Sequence, residues 1–380
     1  MLKAVAATAA VGRTMTAFKI SDSIFTSAAG DHAFDADSPV ADSLSVDDGV
    51  GLVASGAAAD GALLASTLAW TVTVNGSVFS QQAAGIALAA GNTGTSIITI
   101  NANAEVGGGT YGIDAASAAT IKNAGVLDGG DIGIRITNAG VHAITNTGAL
   151  SGGSFSIQDV DGLSLDTLIN TGSIDGSVDL GGSDDKLNNS GKIDGAVALG
   201  AGINTATNSG KITIGLSAGN GNDTVINAGT GEIDGSVSLN DGINSLTNSG
   251  LIDGSVSVGI DSDTVSNTKT ISGDVTLGDG ANKLTNTGSI GGSVSGGIDG
   301  DTISNTKSIS GVVTLGDGLN ELKNSGTIGG QVIGGVGNDT ITNSGSMGAV
   351  VLSDGTNILI SSGSIGGSVT AGSASTNTIT

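Results

Sequence analysis

The chain has 380 residues, a net charge of −23 with only 12 Lys and Arg, 67 Gly, one Pro, no Cys and 2% aromatics. Binding to phosphate needs clustered basic residues, so nucleic acid is excluded as a partner, and no apolar run of 18 or more residues is present to cross a membrane as a helix. Few aromatics exclude a wide globular core, while frequent Val, Ile and Leu allow a narrow continuous one.

The chain opens with Met1-Leu2-Lys3 and an Ala-rich run to Gly12, followed by Arg13, a poor secretion signal. Residues 1–69 show no repeat. Their acidic stretch from Asp31 to Asp48 and the apolar pair Ile24-Phe25 suit an N-terminal cap over a first coil, or an arm that engages a partner. Periodicity emerges over residues 70–169, where Asn75-Gly-Ser-Val78 begins the first recognisable coil. Asn101, Asn123, Asn146 and Asn170 follow at spacings of 22, 23 and 24, which predicts coils of 22–26 residues.

From 170 to 380 the period tightens. Asn170, Asn189, Asn208 and Asn227 are 19 apart. After a two-residue insertion near Thr230 and Gly231 the series resumes at Asn248, Asn267, Asn286, Asn305, Asn324 and Asn343 with the same spacing. A fixed period of about 20 residues signals stacked supersecondary units. The prediction is all-β: a parallel β-helix (β-solenoid) of about 15 coils, most of 19 residues, after a non-repetitive N-terminal segment.

Within one coil, Val275 and Leu277 alternate with polar residues, as do Leu284, Thr285 and Asn286. Period-two alternation marks strands with one face inward. Gly273 and Gly278-Asp279-Gly280 break them at corners, giving about three short strands and three corners per coil. The rows Ile174 to Ile328 and Val178 to Val332, recurring once per coil, are the predicted core. The Asn row is predicted to face inward or into a corner, its amides hydrogen-bonded along the stack as a ladder. Residues 251–288 and 289–326 match at 27 of 38 positions, so the larger unit is two coils.

One corner carries most of the patterned acids. Its last residue alternates Asp185, Asn204, Asp223, Asn244, Asp263, Asn282, Asp301, Asn320, Asp339, Asn357. Beside it lie Asp184, Asp241, Asp261, Asp279, Asp299, Asp317 and Asp354. Bare, such a column repels itself; a hard cation with oxygen ligands would turn it into a staple between coils. The alternative is that Asn alternates with Asp simply to halve the repulsion.

The sequences Gly219-Asn-Gly-Asn-Asp223-Thr-Val and Gly335-Val-Gly-Asn-Asp339-Thr-Ile resemble the haemolysin-type (RTX-like) calcium-binding repeat proteins of bacteria. Gly259 to Val265 and Gly297 to Ile303 match more loosely. The resemblance implies secretion and Ca2+ held between stacked turns, by Asp184, Asp185, Asp223, Asp261, Asp263, Asp279, Asp299, Asp301, Asp317 and Asp339. Asp261/Asp263 and Asp299/Asp301, flanked by Asp279 or Asp317, are the best placed. The chain departs from that family in having one Gly-rich turn per coil and Asn in alternate coils. Its Asn-Ser/Thr-Gly corners and Ile-x-Gly-x-Val runs look more like the β-solenoid shafts of bacterial surface proteins and adhesins.

An active site is not expected. His32, His142, Tyr111 and Trp70 form no constellation, although Arg135 and His142 fall in one long coil and are placed to share a surface. The expected function is an extracellular structural building block of a bacterial surface layer, matrix or filament. Residues 361–380 read as one more coil, with Ile365 and Val369 in the core rows and no polar cap after it, which suggests head-to-tail homo-oligomers. The alternative is an adhesin or carbohydrate-binding shaft using the longer coils of residues 75–170 to meet a cell-surface glycan, against which stands that Phe79, Tyr111 and Phe155 are the only aromatics of that span.

Overall fold

The computed structural model describes residues 16–38, 42–66, 68–373 and 376–380, so the weak secretion signal lies outside the described residues. Two compact units are formed, residues 1–200 and 201–380. Both consist of short strands in parallel pairing, with no helix among the described residues.

In the C-terminal unit each coil contributes three strands, such as Thr264–Asn267, Thr270–Ile271 and Val275–Gly278. Each pairs in parallel with its equivalent 19 residues on: Val265 with Leu284, Ile271 with Ile290, Val275 with Val294. Alternation along the strand decides which side chains are inside. Leu284 and Asn286 are buried, while Lys283 and Thr285 face outward. The Ile row from Ile212 to Ile328 and the Leu/Val row from Leu216 to Val332 are almost fully buried, as the sequence predicts. At the corners Gly278 (φ 72°) and Gly280 (φ 94°) adopt left-handed backbone. The coil predicted over residues 361–380 also pairs in parallel, Met347 with Ile365 and Val350 with Val369.

The Asn ladder is present. Asn248 Nδ2 donates to Asn267 Oδ1 at 2.8 Å, Asn267 to Asn286, Asn286 to Asn305 and Asn305 to Asn324, each at 2.8 Å. Each amide also donates to a backbone carbonyl of the next coil, as Asn286 does to Ser308 O at 3.0 Å. Every link satisfies one donor and one acceptor that water cannot reach.

The N-terminal unit corrects the expectation for residues 1–69. Thr16–Ile20 pairs in parallel with Asp42–Val46, which pairs with Thr71–Val74. Phe18 is partnered with Leu44 and Leu44 with Val72, offsets of 26 and 28 residues. The described part of this segment therefore winds as the later coils do. Repetition fails in the sequence because coil length drifts and the marker Asn is absent. Trp70 is fully buried and packs against Phe18 and Phe34, with ring centroids 6.3 and 6.4 Å away.

The assignment of Asn101 and Asn75 to the Asn file is corrected by one position. Asn123 is partnered with Ile100, and Ile100 with Val74. Aliphatic residues thus continue the inner file upstream. Asn101 and Asn75 sit one place later and hydrogen-bond to each other at 2.7 Å, only partly buried.

Candidate functional site

The patterned corner is built where a Gly-rich turn meets the next strand, and the turn divides its acids into two sets. Asp185, Asp223, Asp263, Asp301 and Asp339 point inward and are 1–2% exposed. Asp184, Asp261, Asp299 and Asp317 stand on the outside of the turns, with Asp279 partly buried among them. The pairs Asp261/Asp263 and Asp299/Asp301 are therefore split, one carboxyl outside and one inside.

The inner set belongs to a hydrogen-bonded file. In the C-terminal unit Asn204 N–H donates to Asp223 Oδ1 at 2.8 Å, and Asp223 N–H to Asn244 Oδ1 at 2.9 Å. The chain of bonds continues from Asn244 to Asp263 at 2.6 Å and from Asp263 to Asn282 at 2.8 Å. It then runs through Asp301, Asn320 and Asp339 to Asn357. The donor at each step is a backbone amide and the acceptor a side-chain oxygen one coil on. The outer acids accept backbone amides as well: Ile298 N–H donates to Asp279, Gly280 N–H to Asp299 and Val336 N–H to Asp317, at 3.0–3.2 Å.

The inner carboxyls do not meet one another as the cation staple expected from sequence would need. Ca2+ takes about 6–8 oxygens at about 2.3–2.6 Å. The inner carboxyls recur every second coil, roughly 10 Å apart at strand spacing, too far for two to share an ion. The coil between supplies Asn, whose Nδ2 hydrogens face the turn carbonyls: Asn282 donates to Gly280 O at 2.8 Å. Asp261, Asp279 and Asp299 line an open depression of about 480 Å3 with Ile260 and Ser262. Among the described residues no group of three His, Cys, Asp or Glu converges as a metal site.

Burial is the dominant electrostatic effect on the inner set. It pushes Asp223 and Asp301 up to about 6 and Asp263 up to about 7, and it raises Asp339. In the N-terminal unit burial pushes Asp185 up to about 8, where Asp166 N–H donates to it at 2.7 Å.

Sequence reasoning missed a second buried group in that unit. His142 and Asp166 are register partners, 0% and 1% exposed; neither carboxylate oxygen has a partner, and only the Asn138 backbone bears on the ring. Burial raises Asp166 to about 8, helped by the charges of Asp185, Asp159 and Asp161, and it lowers His142. Asp159, 4% exposed, is raised to about 6 by the same cause. The signal was available: Asp166 precedes Asp185 by one period of 19.

His142 and Arg135 do not share a surface. His142 points inward, whereas Arg135 lies on the outer face, bonded to Asp114 at 2.6 and 3.0 Å and to Tyr111 Oη at 2.9 Å. Its guanidinium also lies 3.9 Å from the Tyr111 ring centroid. Tyr111, Ile132 and Phe155 are register partners, Tyr111 and Phe155 half-buried and Ile132 buried between them, while Phe79 is exposed.

No family model and no curated protein matches the chain. Among solved structures it is similar to the crystal structure of a hyperactive, Ca2+-dependent, β-helical antifreeze protein from an Antarctic bacterium. That likeness has 20% identity and a TM-score of 0.39, over 96% of this chain and 83% of that chain.

Proposed function

We propose that the chain is an extracellular structural element, a β-solenoid building block or spacer of a bacterial surface or matrix, and not an enzyme. One observation carries this reading. The polar side chains that repeat most faithfully are used to join one coil to the next: the Asn ladder, the corner file, and the outer Asp residues that accept amides from adjacent coils. Repetition of that kind supports a scaffold, whose output is length and spacing. The outer carboxylates gather counter-cations, calcium among them, as a screening layer that keeps like charges from weakening the stack.

A second reading is favoured by one feature of the longer coils. Half-buried Tyr111 and Phe155, with the clamped Arg135 beside Tyr111, offer aromatic and polar groups of the kind a glycan could engage. Two measurements separate the readings. For a spacer, removing the two-coil unit 289–326 should leave a folded chain with an unchanged circular dichroism spectrum per residue. The intact chain should also bind nothing on a glycan array and turn over no polysaccharide. Glycan binding abolished by Tyr111→Ala would replace the spacer with the adhesin reading.

A further inference from the structure

The corner file of the C-terminal unit leaves one set of atoms unexplained. Its Asn members use both ends of the side chain. Oδ1 accepts the amide of the neighbouring coil, and Nδ2 donates to turn carbonyls. Asn244 Nδ2 reaches Gly242 O at 2.8 Å and Asn240 O at 3.0 Å; Asn320 reaches Gly316 O at 3.2 Å and also Asp339 Oδ1 at 2.9 Å, and Asn357 reaches Leu352 O at 2.9 Å. Asp223, Asp263, Asp301 and Asp339 occupy the same file at the same depth and make the same Oδ1 bond. Their second oxygen, Oδ2, is buried and has no hydrogen-bond partner at Asp223, Asp263 and Asp339, while at Asp301 the Gly297 N–H also bears on the carboxyl. A buried oxygen carrying charge with no donor is expensive.

The neighbouring inward position is shaped to this oxygen. Coils with Asn carry Leu there, as Leu277, Leu315 and Leu352. Coils with Asp at 301 and 339 carry Gly296 and Gly334, where a Cβ would meet Oδ2 itself, while those with Asp223 and Asp263 carry the buried Ala218 and Val258. At Asp301 and Asp339 the sequence thus reserves room for the carboxyl group, and at none of the four does a cation act on it. The charged groups acting on the four are other carboxylates: Asp261 and Asp241 on Asp263, Asp299 on Asp301, and Asp317 on Asp339. Asp223 has only its burial and the hydrogen bonds from Asn204.

We propose that this file is a proton-loaded ladder, in which Asp223, Asp263, Asp301 and Asp339 stand as neutral carboxylic acids in acid solution and take the part of the Asn amides. Their O–H then faces the turn as the Asn N–H does, and ionisation at higher pH returns the unpaired charge and loosens the coils. The stack is thereby an acid-strengthened device, in place of the calcium staple that the acidic pattern suggests.

The sign follows from the raised folded values, about 6 to 7 for the three with values, against an unfolded Asp near 3.9. Between those limits the folded chain holds protons that the unfolded chain has released, so stability falls as pH rises. It is fully present below about pH 4 and is lost through about pH 7.

The test is thermal unfolding of the full chain from pH 4 to pH 8, with and without EDTA. The parent should melt highest near pH 4, and EDTA should leave the curve in place. The variant Asp223→Asn/Asp263→Asn/Asp301→Asn/Asp339→Asn should melt above the parent at pH 8, by roughly 5 °C or more, and show a shallower pH slope. The slope that remains belongs to Asp159, Asp166 and Asp185 in the N-terminal unit. The outer variant Asp261→Asn/Asp279→Asn/Asp299→Asn/Asp317→Asn changes the net charge equally and should keep the parent's slope. If the inner quadruple variant misfolds, Asp263→Asn alone should show the same direction. A parent more stable at pH 8 than at pH 4, equal slopes in parent and inner variant, or an EDTA-induced drop reproduced by the inner variant would each overturn the proposal.

Discussion

Asn286→Ala is expected to cost roughly 2–4 kcal/mol of unfolding free energy, large for a single polar residue. Asn286 accepts from Asn267 Nδ2 at 2.8 Å and donates to Asn305 Oδ1 at 2.8 Å and to Ser308 O at 3.0 Å. Truncation leaves those partner groups short of a bond where water does not reach, and leaves a void beside them. Asn286→Asp is the more informative companion. Its Oδ1 can still accept, but once ionised it has nothing to donate. In urea titrations the Asp variant should unfold close to the parent at pH 4 and well before it at pH 8. Equal midpoints at both pH values would contradict the ladder.

The same reasoning explains a contrast within the chain. From Asn208 to Asn343 the ladder file contains no Asp, whereas the corner file alternates Asp and Asn. In the ladder every side chain must accept from one neighbour and donate to the next. In the corner file the donor is a backbone amide, so only an acceptor oxygen is indispensable. Asp serves there, at the cost of one unpaired oxygen.

Gly278→Val is expected to be more damaging, by about 4 kcal/mol or more. Gly278 has φ 72°, which a β-branched residue adopts only with strain, and a Cβ there would collide with the carbonyl oxygen of Gly259 in the adjacent coil. Gly278 is itself held by its pairing with Gly296 in the following coil. Coil stability comes largely from nearest neighbours, so the loss should appear first as local opening. Hydrogen exchange should accelerate around residues 259–297 before the rest of the unit. Gly229→Ala is the contrast: its Cβ would approach only Ser249 O, at 3.9 Å, so a change within about 0.5 kcal/mol is expected.

Much of the fold was legible because a stack repeats its constraints. The Ile and Val rows, the inward Asn file and the Gly corners each recur at a fixed offset, and each is where the period puts it. The N-terminal coils were not legible. Their offsets of 26 and 28 carry no Asn marker, and Val46 and Val74 fill the file with side chains common to any strand. The candidate site was half legible. The alternation of Asp and Asn was plain, but sequence alone placed Asp261 and Asp263 on one surface, whereas the turn sends one outward and one inward. Asp166 was missed although it stands one period before Asp185, and His142 because burial, not spacing, makes it unusual.

The central claim is that equivalent residues of successive coils lie side by side in register. It is tested most directly by a cysteine pair, since the chain has no Cys of its own. Thr285 and Ser304 are register partners on the outer face. Strand spacing puts their Cα atoms about 5 Å apart, within the range a disulfide spans. The measurement is disulfide yield by mass spectrometry in dilute protein under mild oxidation. Thr285→Cys with Ser304→Cys should close nearly completely, and Thr285→Cys with Thr247→Cys, two coils apart, should stay reduced. Failure of the first pair to close, or equal closure of both, would contradict the register.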